Sequence, residues 1–302
     1  MSKIVVAGIT QIETIVKVDK IPLEYEPLRS QKNSIFTAIG GDAYNAALAL
    51  KYLGDDVELF SAVGIDLNPN MLNPPNHKVE VSTQYVVPVM QSTPTSVILF
   101  DKERHEQIYE DIKDLRDVSF DMSMVLPIVA DSDIVLLSNA NFCRPFIEIA
   151  QNLKKRIVVN IHNFLRDKEI YNKDFLKAAN ILYFSDDTIP EDPYEFIKSI
   201  EKEYETEIII LGQGTAGLII YDRVKDTTIH YNIVKTNEVV NTSGAGNALL
   251  ACFLHFYSQT GDSTFSIKNA MLFASYKIGF IGTSNGFMTS DEVSCWHKLI
   301  WG

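Results

Sequence analysis

A chain of 302 residues, 46% hydrophobic and 22% charged, can bury a large core and has the composition of a globular protein rather than a disordered one. Its formal net charge of −12 excludes partners that need a concentrated basic surface, nucleic acid and anionic membrane among them. Any phosphate bound here must be held locally, by backbone amides, a metal or a few cations.

Short apolar runs alternate with segments of helical period, the signature of βαβ units on a parallel sheet. In chain order, buried strands are expected at 4–8 (IVVAG), 56–64 (DVELFSAVG), 133–138 (DIVLLS), 156–161 (RIVVNI), 181–185 (ILYFS) and 207–212 (EIIILG). Helices are expected at 42–54, where Ala46, Leu50 and Leu53 share a face and Gly54 ends the run, and at 144–155, 192–204 and 247–259. Residues 10–38 and 84–110 alternate with period 2 instead, which predicts strands outside the main sheet, a small β element covering the larger domain. The proline-rich NPNMLNPPN at 68–76 reads as a loop. No run approaches the roughly 18 apolar residues of a membrane span, and MSKIVVAGIT carries no cleavage pattern, so a cytoplasmic protein is expected. Cys143, Cys252 and Cys295 show no C-x-x-C spacing and are expected to be buried thiols in a reducing compartment. The histidines lack metal-ligand spacing; His162, just after RIVVN, is the one expected near a site.

Two clusters carry chemistry. In AIGGDAYNAALALKYLG (38–54), paired glycines ahead of a helix let a ligand approach the backbone, and Asp42 and Asn45 on the first turn can bind hydroxyls. The plainer reading is a tight turn with Asp42 as N-cap. In NTSGAGNALLACFLHFY (241–257), Gly244, Ala245 and Gly246 stand immediately before a helix, where free amides and the positive end of the helix dipole converge. That point suits a transferring phosphoryl group, although Gly-Ala-Gly also makes ordinary turns.

GGDAYNAALALKYLGDDVELFSAVGID (40–66) resembles the N-terminal signature of the ribokinase-like, or PfkB, carbohydrate kinases, and NTSGAGNALLACF (241–253) resembles their C-terminal signature, D-T-x-G-A-G-D. The two stand in the family's order and at its spacing. The resemblance implies a ribokinase-like α/β fold, a central mostly parallel sheet flanked by helices, in one domain over 1–302 whose small β lid is formed by approximately 10–38 and 84–110. It implies ATP as donor with Mg²⁺ and a sugar or sugar-like alcohol as acceptor, and it admits a monovalent cation and a homodimer formed through the lid. By motif position, Gly41, Asp42 and Asn45 would contact acceptor hydroxyls, joined by Gln11 and Glu13. Gly244, Ala245 and Gly246 would form the anion hole, and ILGQGTAGLIIYD (210–222) would supply Gly212, Gly214 and Gly217 beside the nucleotide.

The departures from the family pattern bear on activity. Asn247 occupies the position of the family's general base, an Asp, and a neutral amide has negligible basicity near pH 7. General-base assistance contributes about 10² to 10⁴-fold, which sets the expected deficit. Phosphoryl transfer is governed chiefly by positioning and charge stabilisation, so the deficit is an attenuation rather than a block. Asn241 replaces the motif's first Asp, which the family associates with the neighbouring cation-binding and anion-hole loops, and Glu13 replaces a shorter acid. SDDTI (185–189) stands where the family has an N-x-x-E motif organising Mg²⁺, so that Asp186 or Asp187 could substitute, or could simply begin a helix. The expectation is a carbohydrate kinase, attenuated at Asn247. The alternative is a non-catalytic sugar- or nucleotide-binding regulatory protein of the same fold.

Overall fold

The computed structural model describes residues 2–75, 77–103, 105–161, 164–165 and 169–302. In chain order its first strands are β1 (Lys3–Ala7), β2 (Gln11–Lys17), β3 (Ile35–Gly40), β4 (Asp56–Gly64), β5 (Val86–Met90), β6 (Thr95–Phe100) and β7 (Glu106–Asp111). There follow β8 (Ile134–Ser138), β9 (Arg156–Ile161), β10 (Ile181–Ser185), β11 (Ile208–Gly212), β12 (Leu218–Asp222) and β13 (Thr227–Tyr231). The helices are α1 (Asp42–Leu53), α2 (Met122–Asp131), α3 (Arg144–Asn152), α4 (Glu169–Ala178), α5 (Pro193–Glu203), α6 (Ala245–Thr260), α7 (Ser263–Lys277) and α8 (Ser290–Trp301).

Nine strands form one sheet in the order β13-β12-β11-β10-β9-β8-β1-β4-β5. From β5 through β11 all neighbours are parallel, and β12 and β13 close one edge antiparallel. A parallel sheet is covered by helices on both faces, so its strands must be apolar on both sides, which is why runs such as IVVAG are continuous rather than alternating. Ile4 and Val6 enter a core shared with α1, α6, α7 and α8, whereas Val5 and Ala7 enter the opposite core, shared with α2, α3, α4 and α5. The ribokinase-like α/β fold is the one expected.

β2, β3, β6 and β7 form a separate four-stranded sheet in the order β3-β2-β6-β7. It hangs from the carboxyl ends of the large sheet: β2 leaves β1 after a short turn, β3 returns directly into α1, and β6 follows β5. The register pairs Glu13 with Ser96, Ile15 with Ile98 and Phe100 with Glu106, so these residues and Gln11 share one face. Ile15, Ile98 and Phe100 pack there with Phe36 and Ile281. The segment 84–110, expected wholly in the small element, divides: β5 pairs with β4 at the edge of the large sheet, because Val86 and Met90 are buried against its two cores.

Cys143 and Cys252 are buried as expected, but Cys295 is exposed, because α8 lies outermost and buries only Val293 fully. Among the described residues no helix is long and apolar enough to cross a membrane. At the carboxyl end of β10, Phe184 stacks edge-on against Phe164 and Phe196, with ring centroids 5.4 and 5.0 Å away. Phe184→Ala should therefore lower unfolding free energy by about 3–5 kcal/mol without changing the denaturant slope, as measured by urea titration.

Candidate active site

The carboxyl ends of the parallel strands, where open α/β sheets bind ligands, bring the two sequence clusters together. α1 starts at Asp42 with Gly41 as its N-cap at φ 95°, where a Cβ would strike the Ile9 carbonyl. Asp42 is thus not the cap. Its Oδ1 accepts from Ile9 N at 2.9 Å and Ala43 N at 2.7 Å, bracing the exit of β1 against the helix. Oδ2 accepts nothing from the described residues. Nearby, Asn45 Oδ1 and Gln11 Oε1 are buried oxygens without a donor. Acceptors left open in this way are free to receive a ligand's hydrogen-bond donors.

Glu13, expected to reach into the acceptor site, commits both oxygens to the protein. Oε1 accepts from Gly41 N at 2.9 Å and Gln11 Nε2 at 3.2 Å, and Oε2 accepts from Thr283 Oγ1. The longer side chain thereby joins the small sheet, the glycine turn and the segment after α7.

At the other cluster, Gly244 caps α6 at φ 80°, and a Cβ there would lie 2.8 Å from the Thr283 carbonyl oxygen. Ala245 N donates to Thr242 O at 3.2 Å, which closes the turn and withdraws that amide. The amides of Gly244, Gly246 and Asn247 have no acceptor among the described residues and remain available at the positive end of α6. Gly246 and Gly212 meet through Tyr183: a Cβ on either would stand 2.5 or 2.7 Å from its hydroxyl. Gly214 and Gly217 have other reasons for being glycine. Gly214 is exposed at φ 52° in the turn before β12, and a Cβ on Gly217 would strike the Tyr231 carbonyl of β13.

Asn247 accepts a hydrogen bond through Oδ1 from Asn160 Nδ2, at the end of β9, at 2.8 Å. Asn160 lines one narrow crevice with Asp42 and Ser138. This pair, 87 residues apart in sequence, links the start of α6 to the crevice that Asp42 also lines. Asp186 and Asp187 follow β10 in a short 3-10 turn. Burial pushes the Asp186 carboxyl above its usual range, a hydrogen bond from Gln213 opposes this, and the like charge of Asp187 adds to it. Two carboxylates in repulsion suit a divalent cation. Asp187 also accepts from Ser185 Oγ at 2.6 Å. His162 lies outside the described residues. His255 is a core residue, bonded to Asp55 at 2.8 Å and Ser290 at 3.0 Å.

Two charged residues missed in the sequence hold the anion turn. Glu106, at the start of β7, accepts from Thr242 Oγ1 at 2.5 Å, Ser243 Oγ at 3.1 Å, Thr242 N at 3.2 Å and Asn241 Nδ2 at 3.3 Å. Lys277, wholly buried at the end of α7, donates to the carbonyls of Ser243 and of Gly282, the latter at 2.8 Å. A lysine inside the apolar run AMLFASYKIGF and an asparagine ending RIVVN were readable signals for Lys277 and Asn160; nothing local marks Glu106.

The profile described as pfkB family carbohydrate kinase matches residues 1–290. A nucleoside kinase of Methanocaldococcus jannaschii is 26% identical over 99% of this chain and 96% of its own length. A ribokinase of Dictyostelium discoideum is 22% identical over 97% of this chain and 99% of its own. In fold, a putative ribokinase from Agrobacterium tumefaciens is similar with a TM-score of 0.85 and 17% identity, covering 99% of this chain and 98% of that one. With both signatures folded onto one site and the family profile matched over nearly its whole length, the chain belongs to the pfkB family of carbohydrate kinases.

Proposed function

We propose that the chain transfers the terminal phosphoryl group of ATP to a hydroxyl of a sugar or sugar-like acceptor. The observation that carries this reading is the Asn160–Asn247 bond, which joins the open amides of α6 to the crevice lined by Asp42. A nucleoside offers ribose hydroxyls for the open oxygens of Asp42, Asn45 and Gln11, and the Methanocaldococcus jannaschii relative is named a nucleoside kinase. The non-catalytic alternative is not favoured, since the family and the relatives aligned along the whole chain are kinases.

In this reading Asp42 Oδ2 and the open oxygens of Asn45 and Gln11 accept from acceptor hydroxyls, while Gly41 keeps the backbone close. The amides of Gly244, Gly246 and Asn247 face the transferring group and stabilise the charge on its equatorial oxygens. Gly212, packed on Tyr183 beside Gly246, borders the nucleotide, with Gly214 and Gly217 in the turn beyond it. Asp186 and Asp187 would hold Mg²⁺, which when bound neutralises phosphate charge. Asn247, already accepting from Asn160, turns its amide nitrogen to the acceptor oxygen and orients it without removing its proton. As the acceptor oxygen bonds to phosphorus and the bond to ADP breaks, the hydroxyl proton leaves to solvent. The small sheet serves as a lid over the acceptor. Its exposed Val97 and Tyr109, paired across β6 and β7, support pairing of two copies through that sheet. Free, unpaired cysteines support a cytoplasmic setting.

The reading is tested by ADP release with a panel of sugars and nucleosides. Asn247→Asp supplies the missing carboxylate, and the oxygen that accepts from Asn160 is retained. Turnover should rise about 10² to 10⁴-fold with little change in acceptor KM. Mass spectrometry of the wild type must first exclude deamidated Asn247. No gain with an acceptor that binds would reinstate the non-catalytic reading. Asp42→Asn keeps the two amide bonds to Oδ1 and removes the charge facing the crevice. Acceptor affinity, by calorimetry, should fall about tenfold to a hundredfold with an unchanged melting temperature. Lost stability with unchanged affinity would make Asp42 a brace alone.

A further inference from the structure

The family resemblance admits a monovalent cation beside the anion turn, and the residues present do not fit a free one. Its oxygen donors would be backbone carbonyls of the loops that meet there, but the carbonyls of Ser243 and Gly282 are both taken by the Lys277 ammonium. The carboxylate of the motif's first position is also absent, since Asn241 is neutral and leaves its buried Oδ1 without a donor.

The two loops are fastened together around this point. Val240 N and Asn241 N both donate to the carbonyl of Ile278, the residue after Lys277, at 2.8 and 3.1 Å. Ser243 is followed by Gly244, and the two share one planar peptide group in which C=O and N–H point in opposite directions. An ammonium that holds the Ser243 carbonyl on one side of that plane aims the Gly244 N–H to the other. Glu106 also accepts from the hydroxyl of the same Ser243, a second hold on that residue.

We propose that Lys277 is a tethered monovalent cation: its ammonium orients the 243–244 peptide for phosphate, so that the protein binds nucleotide without potassium. Lys277 is a positioning residue, acting on the nucleotide through the turn. The proposal rests on the nucleotide reading above. Burial holds the ammonium down to about 8 from the ordinary lysine value of 10.5, while Glu13 of β2 and Glu106 of β7, the carboxylates facing it, work to keep the proton on. Between pH 8 and 10.5 the unfolded chain then binds more protons at this group than the folded one, so the contribution of Lys277 to stability rises with pH. Its contribution to phosphate binding falls over the same window, because the charge is lost. A purely structural lysine would leave nucleotide affinity flat.

The test is calorimetric titration of the 302-residue chain with MgADP at constant ionic strength, in tetramethylammonium chloride and then in potassium chloride. Wild-type affinity should be the same in both salts and should weaken above pH 8. Lys277→Met should weaken MgADP binding by about tenfold to a hundredfold, lose that pH dependence, and regain affinity in potassium or ammonium but not tetramethylammonium. Wild-type affinity that rises tenfold on adding potassium would overturn the proposal, and that measurement needs no variant to fold. So would a Lys277→Met protein that binds like the wild type without potassium. Absence of MgADP binding to the wild type in every salt would remove the nucleotide reading itself, and this proposal with it.

Discussion

A protein with a net charge of −12 can hold a polyphosphate only where partial positive charge is concentrated and fixed before the ligand arrives. In the proposed function that place is a single turn, 242–246, at the start of α6. Its amides are useful only while they point outward, and a short glycine-containing turn has little intrinsic reason to keep them so. The chain meets the constraint with two full charges of opposite sign. Glu106 binds donors on 241–243 from the small sheet, and Lys277 binds the Ser243 carbonyl from beneath. The turn therefore depends on the small sheet and on the end of α7, and this ties the fold to the proposed chemistry.

The acceptor end follows a different logic. Asp42 divides its carboxylate between fold and site: one oxygen secures β1 to α1, and the other remains open. Asn45 and Gln11 have buried oxygens without a donor among the described residues, which the proposed acceptor hydroxyls would satisfy. Glu13 commits both oxygens to the protein and so acts on the acceptor through the Gly41 turn that it holds.

Much of the large sheet was legible because its strands are buried on both faces. β4, β9 and β10 coincide with the expected runs, β8 and β11 start one residue later, and β1 is shifted by one residue. The segment 192–204 is legible nearly to its ends for the converse reason, an apolar stripe of Phe196, Ile197 and Ile200 behind the Asp192 cap, while 42–54, buried almost all round, is marked by its closing Gly54. α7 was not proposed, because its buried positions run round the helix and include Ser266, Asn269 and Lys277, so no stripe is visible. α2 carries Pro127 in its interior, against the usual grammar of a helix. At the site, the glycine turns and the substitutions at 241 and 247 could be read from local motifs. Glu106 could not, because its role arises only when β7 folds back onto a turn 136 residues away.

The bonds of Glu13 also have a mechanical consequence. In the order β3-β2-β6-β7, the buried carboxylate on β2 ties the sheet to Gly41 and Thr283, whereas the opposite edge strand carries Glu106. A sheet pinned near one side and latched at the other would, in the proposed role of a lid, turn about Glu13 with its largest displacement at β7. In that proposed motion Glu106 would leave turn 241–243 as the sheet swings, which would couple the phosphate cradle to the acceptor door.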